Sequence, residues 1–410
     1  MVSSVFWCTK GALLLLGSTR DTAPVDVHAV DALADEVFAS LSRVDQRRWA
    51  RVYLRGLLLT QGKKSMRRLA ETASGSPSSW HSLQQFINGS TWSWDAPRRA
   101  LAAWVEQRAS VRAWTIPQIT LSKRGDRLVG VHQRFDSQTG RTVNCQAVTT
   151  LFLSCPGANF PVDWHLHLPE EWVKDDQLRQ EARIPTTATS EPSWQLALDL
   201  IKRSVRRAGR PNVPIVADLS EAGELGAAIS TLESLKAGFV IAVNPRLRVA
   251  ADEVPRMHRS GHFSQHGAAL SASRCLELYR RRYVYTATMM GDNGDFRQTQ
   301  ILSALIRLPA SPRHVYRLFA EPGDDVPEQS PIWLTNLTER RLEELLELVV
   351  MHASSKVTVN CMNERLQYLG FSGRSYPGWH HHTTLVSAAY AYSRLAHPAL
   401  PARAAASQIA

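Results

Sequence analysis

Apolar residues recur every three or four positions from about residue 30 to residue 110. Val30, Leu33 and Val37 repeat close to the 3.6-residue period of an α-helix. A longer amphipathic segment follows at residues 47–73, and Ser-rich turns precede a last helical pattern. The pattern therefore predicts a helical domain over residues 30–110.

Strand patterns replace helical ones after this domain. Three β-rich runs, at residues 127–135, 144–155 and 161–168, are separated by short polar turns, which favours an antiparallel meander. Two apolar strands, at residues 213–219 and 239–244, are joined by a helix, and such a βαβ unit implies a parallel pair with a right-handed crossover. The sequence therefore predicts an α/β fold, with a mixed sheet and helices on both of its faces.

Residues 246–335 break this alternation of strands and helices. Strand candidates lie here among loops rich in Pro, Gly and Ser, so we predict a β-rich insertion. Helical patterns resume after it, and the last residues contain too few apolar side chains to fold alone. The predicted organisation is a poorly ordered leader at 1–29, a helical domain at 30–110, an α/β core at 111–245 and 336–396, the insertion at 246–335, and a disordered tail at 397–410.

Positive charge is concentrated in the helical domain. The chain has 48 Lys and Arg against 37 Asp and Glu, a net charge of +11. Residues 41–110 hold twelve of the basic residues and four of the acidic ones, a net charge of +8. Trp and turns rich in Gln, Asn and Ser accompany these basic residues, a combination typical of nucleic-acid-binding modules. We therefore predict DNA as the partner; a solvated helix face is the alternative for any single basic run.

One basic run has a spacing that fits a phosphate backbone. Lys63, Lys64, Arg67 and Arg68 stand at i, i+1, i+4 and i+5, so on one continuous helix they would share a face. Contacts to phosphates would orient such a helix on DNA. An exposed stripe that keeps the protein soluble is the alternative interpretation.

Cysteine usage and hydropathy predict a cytoplasmic protein. The five cysteines are scattered without a C-x-x-C pair, which speaks against a disulfide framework and a cysteine-rich zinc site. No segment approaches 18 uninterrupted apolar residues, so we expect no membrane span. Residues 1–25 lack the flanks of a signal peptide, and we interpret them as a leader or as the result of a start codon placed too early. Serine-hydrolase, P-loop and dinucleotide-binding motifs are absent from the sequence.

Several blocks of the sequence resemble DDE-type insertion-sequence transposases, in the same order and across residues 30–395. The blocks are RVYLRGLLLTQGKKSMRRLA, LQQFINGSTW, GRTVNCQAVTTLFL, PVDWHLHLPEEW, VPIVADL, FVIAVN, IWLTNL and LGFSGRSYPGWHHHTTLVSAAYAY. The resemblance implies an RNase H-like core, interrupted by the insertion before its last acidic helix. It also implies three carboxylates around two divalent metals, which activate a water or a 3′-hydroxyl and stabilise the leaving oxygen.

The first acidic position of the family is not acidic in this chain. Alignment on the basic turn at residues 123–125 places Pro117 and Gln118 where the family has two Asp residues. Neither is an anionic ligand, and Pro117 also removes a backbone donor from a strand that should be central. Asp126 and Asp136 lie further along in turns, too far to be obvious replacements.

The second acidic position is retained and the third is not. Asp218 ends an apolar strand, where the resemblance places the second carboxylate, although an N-cap of the following helix is the alternative for this residue. Counting back from the motif at residues 373–375 places Cys361 at the third position. Glu364 is one helical turn further, about 4.5 Å along the axis, and a shifted helix would be needed to bring it near Asp218.

Four further residues are expected to contact DNA. Lys123 and Arg124 lie in the basic turn after the first acidic position, and Arg374 matches a basic residue that touches DNA in the family; a surface salt bridge is the alternative for Arg374. His380 belongs to a run of three histidines, which cannot all face one metal ion from a helix. A phosphate contact or a role at a helix N-terminus is therefore favoured over a metal site.

These observations lead to one main hypothesis and two alternatives. The main hypothesis is a transposase-like DNA-binding protein that is catalytically inactive, needs no cofactor, and acts as a regulator, as an inhibitor of active relatives or as a remnant. The first alternative is an active Mg²⁺-dependent transposase whose third carboxylate has moved to Glu364 and whose first comes from a loop. The second alternative is a regulatory or scaffold protein that acts through protein contacts. A homodimer is a possible assembly.

Overall fold

The structure is a computed structural model that describes most of the chain. The described residues are 25–123, 125, 127–136, 140–208, 213–251, 269–280, 284–290, 296–321, 331–371 and 373–396. Most of the predicted leader, the whole of the predicted tail, and Arg124 and Asp126 therefore lie outside the described residues.

Five helices form the N-terminal region. They are α1 (Val27–Val37), α2 (Val44–Leu59), α3 (Met66–Ser74), α4 (Trp80–Asn88) and α5 (Asp95–Glu106). Val30, Leu33 and Val37 are all buried, which confirms the helical period predicted at the start of the region.

The amphipathic segment at residues 47–73 is two helices rather than one. α2 ends at Leu59, Gly62 takes a left-handed φ of 65°, and the side chain of Ser65 caps the start of α3. A glycine after one helix and a serine before the next are the usual signals for such a break.

The break corrects the prediction made for the basic run. Lys63 and Lys64 lie before α3, whereas Arg67 and Arg68 lie in its first turn. The four side chains therefore do not share one helical face, and that prediction is wrong.

The strands form one mixed sheet. They are β1 (Ala113–Ile116), β2 (Gln118–Ser122), β3 (His132–Asp136), β4 (Arg141–Cys155), β5 (Ala158–Leu166), β6 (Ile215–Asp218), β7 (Phe239–Val243), β8 (Arg248–Ala251), β9 (Leu270–Ser271), β10 (Val284–Met290), β11 (Phe296–Leu308), β12 (Ser311–Ala320) and β13 (Ile332–Thr335). The order is β2-β4-β1-β6-β7-β13-β12-β11-β8-β9, with β3 and β5 beside β4 and β10 beside β11.

The predicted pairings within the core are confirmed. β3, β4 and β5 form an antiparallel meander, and β6 and β7 are parallel. β1, which the hydrophobic pattern did not reveal, is parallel to β6 and lies between β6 and β4. Because the sheet holds both parallel and antiparallel pairs, the predicted α/β class with a mixed sheet is confirmed.

Seven further helices accompany the sheet in the described part of the chain. They are α6 (Glu170–Lys174), α7 (Asp176–Glu181), α8 (Ser193–Ala208), α9 (Leu225–Ser234), α10 (Ala272–Arg280), α11 (Leu342–Leu366) and α12 (Tyr376–Leu395). Val216 and Val240 pack with residues of α11 on one face, while Ile215 and Ile241 belong to the cluster on the other face. Among the residues described, no helix is long and apolar enough to cross a membrane.

The region at residues 246–335 extends the same sheet. Its described part contains β8 to β13 and the helix α10, and β13 pairs antiparallel with β7 of the core. The region is β-rich, as its sequence predicts, but it continues the core sheet through this pairing.

α12 is the central helix of the fold. Sixteen of its twenty residues are buried, and it packs against α2, α4 and β5. One hydrophobic cluster runs from Val30 to Tyr392. The N-terminal helices and the sheet therefore share a core, and α12 lies between them.

Candidate catalytic centre and nucleic-acid surface

The parallel strands β1 and β6 bring the first two predicted positions together. Ile116 pairs with Ala217, so Pro117 and Asp218, the next residue on each strand, are neighbours. Because side chains alternate along a strand, Pro117 and Asp218 lie on the same face as Ala113 and Val216, the face that α11 covers. The side-chain amide of Gln118 donates to the main-chain carbonyl of Asp218 at 3.5 Å.

The carboxylate of Asp218 is held by its own turn. Its Oδ1 accepts hydrogen bonds from the backbone N–H of Ser220 at 3.1 Å and from the Ser220 hydroxyl at 2.6 Å. The next helix, α9, begins only at Leu225, with Glu224 as its N-cap. The alternative interpretation of Asp218 as a helix N-cap is therefore wrong.

α11 presents a histidine at this point rather than a carboxylate. His352 is buried and donates a hydrogen bond to the carbonyl of Ile116. Its imidazole is close enough to Asp218 for the charge of that carboxylate to act on the pKa of His352. Burial, followed by the positive charge of Lys356, lowers the pKa of His352 to about 4, although Asp218 and the hydrogen bond act in the opposite direction. A neutral imidazole therefore lies at the strand ends, one helical turn before the exposed Lys356.

Cys361 and Glu364 lie further along α11. The helix crosses the sheet from β6 towards β5, where Asn159 donates to the hydroxyl of Ser354 at 3.0 Å. Glu364 follows His352 by twelve residues, or about 18 Å along the helix axis. The structure therefore does not place Glu364 beside Asp218, and the relocation in the first alternative stays a prediction that needs a shifted helix.

Cys361 has Glu364 as a neighbour instead. Burial and then the charge of Glu364 raise the pKa of the Cys361 thiol, and the charges of Arg365 and Arg394 oppose this. The thiol is therefore neutral at neutral pH, and it lies at the far end of the helix from Asp218.

Of the two residues considered as replacements for the first carboxylate, Asp136 lies within the described residues, and its strand position is far from Asp218. On β3, Asp136 pairs with Arg141 at the start of β4, whereas the carbonyl of Pro117 accepts a hydrogen bond from Thr150. Thr150 follows Arg141 by nine positions along the strand, a distance of about 30 Å. The backbone of Asp136 therefore lies far from that of Asp218.

The side chains around Asp218 do not fit a two-metal centre. Hard divalent cations such as Mg²⁺ take several oxygen ligands, with carboxylates supplying the negative charge. The neighbours of Asp218 supply an amide, a hydroxyl and a neutral imidazole, and none of these is a carboxylate. Across the described ranges there is no group of three or more His, Cys, Asp or Glu residues that could hold a metal ion.

The residues predicted to contact phosphates differ in how accessible their charges are. Lys63, Arg67 and Arg374 are exposed. The ammonium of Lys64 donates to the carbonyls of Leu57 and Thr60, at 2.7 and 2.6 Å, and so caps the end of α2.

Two further predicted contacts are constrained by their surroundings. The guanidinium of Arg68 donates to the carbonyl of Gln61 at 2.9 Å. Burial lowers the pKa of Lys123 to about 8. Of the predicted set, Lys63, Arg67 and Arg374 therefore remain the most available to an external anion.

The prediction that His380 contacts DNA does not agree with its position. The side chain is buried, stacks on Trp94 with ring centroids 4.2 Å apart, and lies 3.0 Å from a guanidinium nitrogen of Arg98. Burial, followed by the charge of Arg98, lowers the pKa of His380 well below its usual value. His380 is therefore a neutral interior side chain in this structure.

The two histidines that follow it also join α12 to the N-terminal helices. Both ring nitrogens of His381 meet carbonyls, of Ile87 at 2.8 Å and of Trp92 at 2.9 Å. His382 pairs with the hydroxyl of Tyr53 at 2.9 Å. The three histidines form no metal site; they form polar contacts within the core.

A buried arginine completes this cluster, and the sequence analysis did not identify it. The guanidinium of Arg98, on α5, donates to the carboxylate of Asp163 at 2.8 Å, to the carbonyl of Trp164 at 2.9 Å and to the hydroxyl of Thr384 at 2.9 Å. One of the twelve basic residues in the helical region is therefore neutralised inside the protein.

Other basic residues of this region are neutralised at the surface. Arg51 and Arg55 on α2 pair with Asp35 and Asp31 on α1, and Arg108 lies 3.7 Å from Glu36. Fewer basic side chains of the helical region are therefore unpaired than the net charge of +8 suggests. The exposed positive charges lie mainly at the starts of α2 and α3.

Residues 36–292, more than half of the chain, match the family of DDE superfamily endonucleases. The match begins within α1 and includes the strands β1 and β6 with Asp218. No curated protein matches the chain. The mixed sheet, the flanking helices and the N-terminal helical region agree with an RNase H-like nuclease fold, and the chain therefore belongs to the DDE superfamily of endonucleases, the transposase-type family.

Proposed function

We propose that the protein is a transposase-like DNA-binding protein that has lost strand-transfer chemistry. The observation that carries this proposal lies at the ends of β1 and β6. Asp218 is adjacent there to Pro117 and Gln118, and α11 supplies His352 in place of a carboxylate.

The chemistry explains why this substitution is decisive. In-line displacement at a phosphodiester needs two metals that activate the attacking oxygen and stabilise the leaving one. One carboxylate, with a neutral imidazole beside it, attracts divalent cations far less than three carboxylates do. Binding of DNA does not need these ligands, because it depends on positive charge at the surface.

A nicking assay tests the loss of chemistry. Supercoiled plasmid is incubated with the protein and Mg²⁺ or Mn²⁺, and we compare the unchanged protein with Asp218→Ala and with the matched control Glu221→Ala, an exposed acid nearby. We expect no nicking above that of Asp218→Ala. Cleavage by the unchanged protein that Asp218→Ala abolishes and Glu221→Ala retains would overturn the proposal.

The same assay tests the active-enzyme alternative through Glu364. If the unchanged protein nicks the plasmid and both Glu364→Ala and Asp218→Ala abolish nicking, the hypothesis of an active transposase with Mg²⁺ as its cofactor is supported. We expect Glu364→Ala to behave like the unchanged protein, because about 18 Å of helix separates Glu364 from His352.

A binding assay tests the DNA partner. Affinity for duplex DNA is measured over a salt series, and the logarithm of the binding constant should fall with the logarithm of salt by about 0.9 per neutralised phosphate. A flat response, or no binding, would favour the scaffold alternative.

A regulatory role follows from binding without cleavage, since a bound protein blocks a DNA site while leaving it intact. We propose this role, with a homodimer as an assembly to be tested. Light scattering with and without duplex DNA measures that assembly, and a monomer in both conditions would exclude it.

A further inference from the structure

Three helices of the N-terminal region form a compact arrangement around a tight turn. α3 and α4 are joined by residues 75–79, and α2 packs against both helices. Gly75 closes α3 in a left-handed conformation, with φ at 68° and its N–H bonded to Glu71. Two helices joined by a short turn that contains glycine are typical of helix-turn-helix modules.

The second helix of this pair, α4, has one apolar face and one polar face. Leu83, Phe86 and Ile87 are buried, and they fix α4 against the neighbouring helices. The residues that point outwards are His81, Ser82, Gln84 and Gln85, all exposed. α4 therefore offers hydrogen-bonding groups to solvent along its first two turns.

The polar face of α4 has an unusual composition for a solvent-exposed helix. It contains no Lys, Arg, Asp or Glu, although the surrounding region is rich in arginine. Charged side chains would serve solubility better than glutamines. Glutamine side chains, by contrast, match the paired donor and acceptor that adenine presents in the major groove.

An open groove of about 820 Å³ runs beside α4. His81, Gln84 and Gln85 line one side, and Arg43 and Trp49 from the start of α2 line the other. A helix that enters the major groove has a phosphodiester strand on each side of it, and another helix of the same module commonly meets one of these strands.

The far side of this groove is suited to a phosphate strand. The guanidinium of Arg48 lies over the ring of Trp49, 5.3 Å from its centroid, and the side chain of Arg48 is exposed. Arg43 stands at the N-terminus of α2, where the helix dipole also favours an anion. Its pair with Asp45 is exposed, so water screens it and a phosphate can replace the carboxylate.

We propose that α4 is a recognition helix that reads base edges in the major groove of duplex DNA through His81, Gln84 and Gln85. In this arrangement Arg43 and Arg48 bind the adjacent phosphate strand and contribute affinity without sequence preference. The proposal rests on the DNA-binding function proposed above and adds the groups that choose the sequence.

The test separates preference from affinity. The unchanged protein first selects its preferred duplex from a random library, and binding to that duplex and to a scrambled one is then compared at fixed salt. The variant Gln84→Ala/Gln85→Ala should lose about tenfold or more of the preference, while its affinity for the scrambled duplex stays unchanged. Alanine favours helix more than glutamine does, so α4 is expected to stay folded.

A matched control removes two glutamines elsewhere. Gln177→Ala/Gln180→Ala changes two exposed glutamines on α7, far along the chain from α4, and should leave the preference intact. Arg48→Ala should weaken binding to both duplexes alike and make the salt dependence shallower by about one phosphate.

The outcomes distinguish this proposal from the one on which it rests. If the unchanged protein binds DNA without preference, or if Gln84→Ala/Gln85→Ala keeps the full preference, the recognition helix is wrong and DNA binding stands. If the unchanged protein binds no duplex at low salt, DNA binding itself is wrong and the recognition helix falls with it.

Discussion

The buried pair of Arg98 and Asp163 makes a sharp prediction about stability. The two side chains are 2% and 6% exposed, and they meet at 2.8 Å between the N-terminal helices and the sheet. Asp163→Ala leaves a guanidinium inside the protein without its counter-ion. Removing one partner of a buried ion pair typically costs about 3–5 kcal/mol of unfolding free energy.

The remaining contacts of Arg98 do not replace the carboxylate. The carbonyl of Trp164 and the hydroxyl of Thr384 accept hydrogen bonds but carry no charge. The nearby ring of His380 is held neutral by burial, which lowers its pKa well below the usual value. We therefore expect the cost for Asp163→Ala at the upper part of that range.

Urea unfolding followed by circular dichroism measures the effect. Glu170→Ala, which removes the exposed partner of Lys174, is the control and should leave the midpoint unchanged. The double variant Arg98→Met/Asp163→Leu should be less destabilised than the two single changes together, because it leaves no charge unpaired. A midpoint for Asp163→Ala equal to that of the control would refute the reasoning.

Three further predictions concern acid, packing and metal. Burial lowers the pKa of His381 to about 4 and of His382 to about 3. Their contribution to the free energy of unfolding is therefore full above about pH 6.5 and is lost as pH falls, by at most about 1.4 kcal/mol per pH unit for each. An unfolding midpoint that does not change between pH 6.5 and pH 4 would contradict this prediction. Gly56→Val should lower the free energy of unfolding by about 1–3 kcal/mol, because even a Cβ at this position would stand 2.9 Å from the next helix. Gly223→Ala, with open space around it, should change this free energy little, and thermal unfolding of both variants measures the difference. Millimolar Mg²⁺ should leave the unfolding temperature unchanged, and a rise that Asp218→Ala removes would show that the site binds the ion after all.

Hydrophobic periodicity predicted the parts of the fold where one face of an element is buried and the other is wet. The apolar residues of α1 belong to this kind. β4 and β5 are buried along most of their length, and their sequences predicted strands as β-rich runs between polar turns. β1 was missed as a hydrophobic pattern because its four residues, Ala113–Ile116, are all buried and end at a proline. Four buried residues show neither alternation nor a helical period.

The candidate site was predicted in part. The resemblance placed Pro117 at the first acidic position of the family and Asp218 at the second. The parallel pairing of β1 with β6 makes the two residues neighbours. His352 was not foreseen, because a sequence alone does not show which turn of a 25-residue helix crosses a given strand. The prediction for His380 was wrong for a related reason. Its polarity suggested a surface position, but Arg98, 282 residues earlier in the chain, is its polar partner in the interior.

The central position of α12 has a consequence for synthesis. Tyr53 meets His382, 329 residues later, so the helices made first wait for one of the last segments of the chain before their apolar faces are covered. Contacts between such distant residues close slowly, and unfinished chains expose surface that aggregates. A ribosome translating this protein therefore carries an incomplete core until α12 has been made, and a chain interrupted before α12 lacks the helix on which both halves pack.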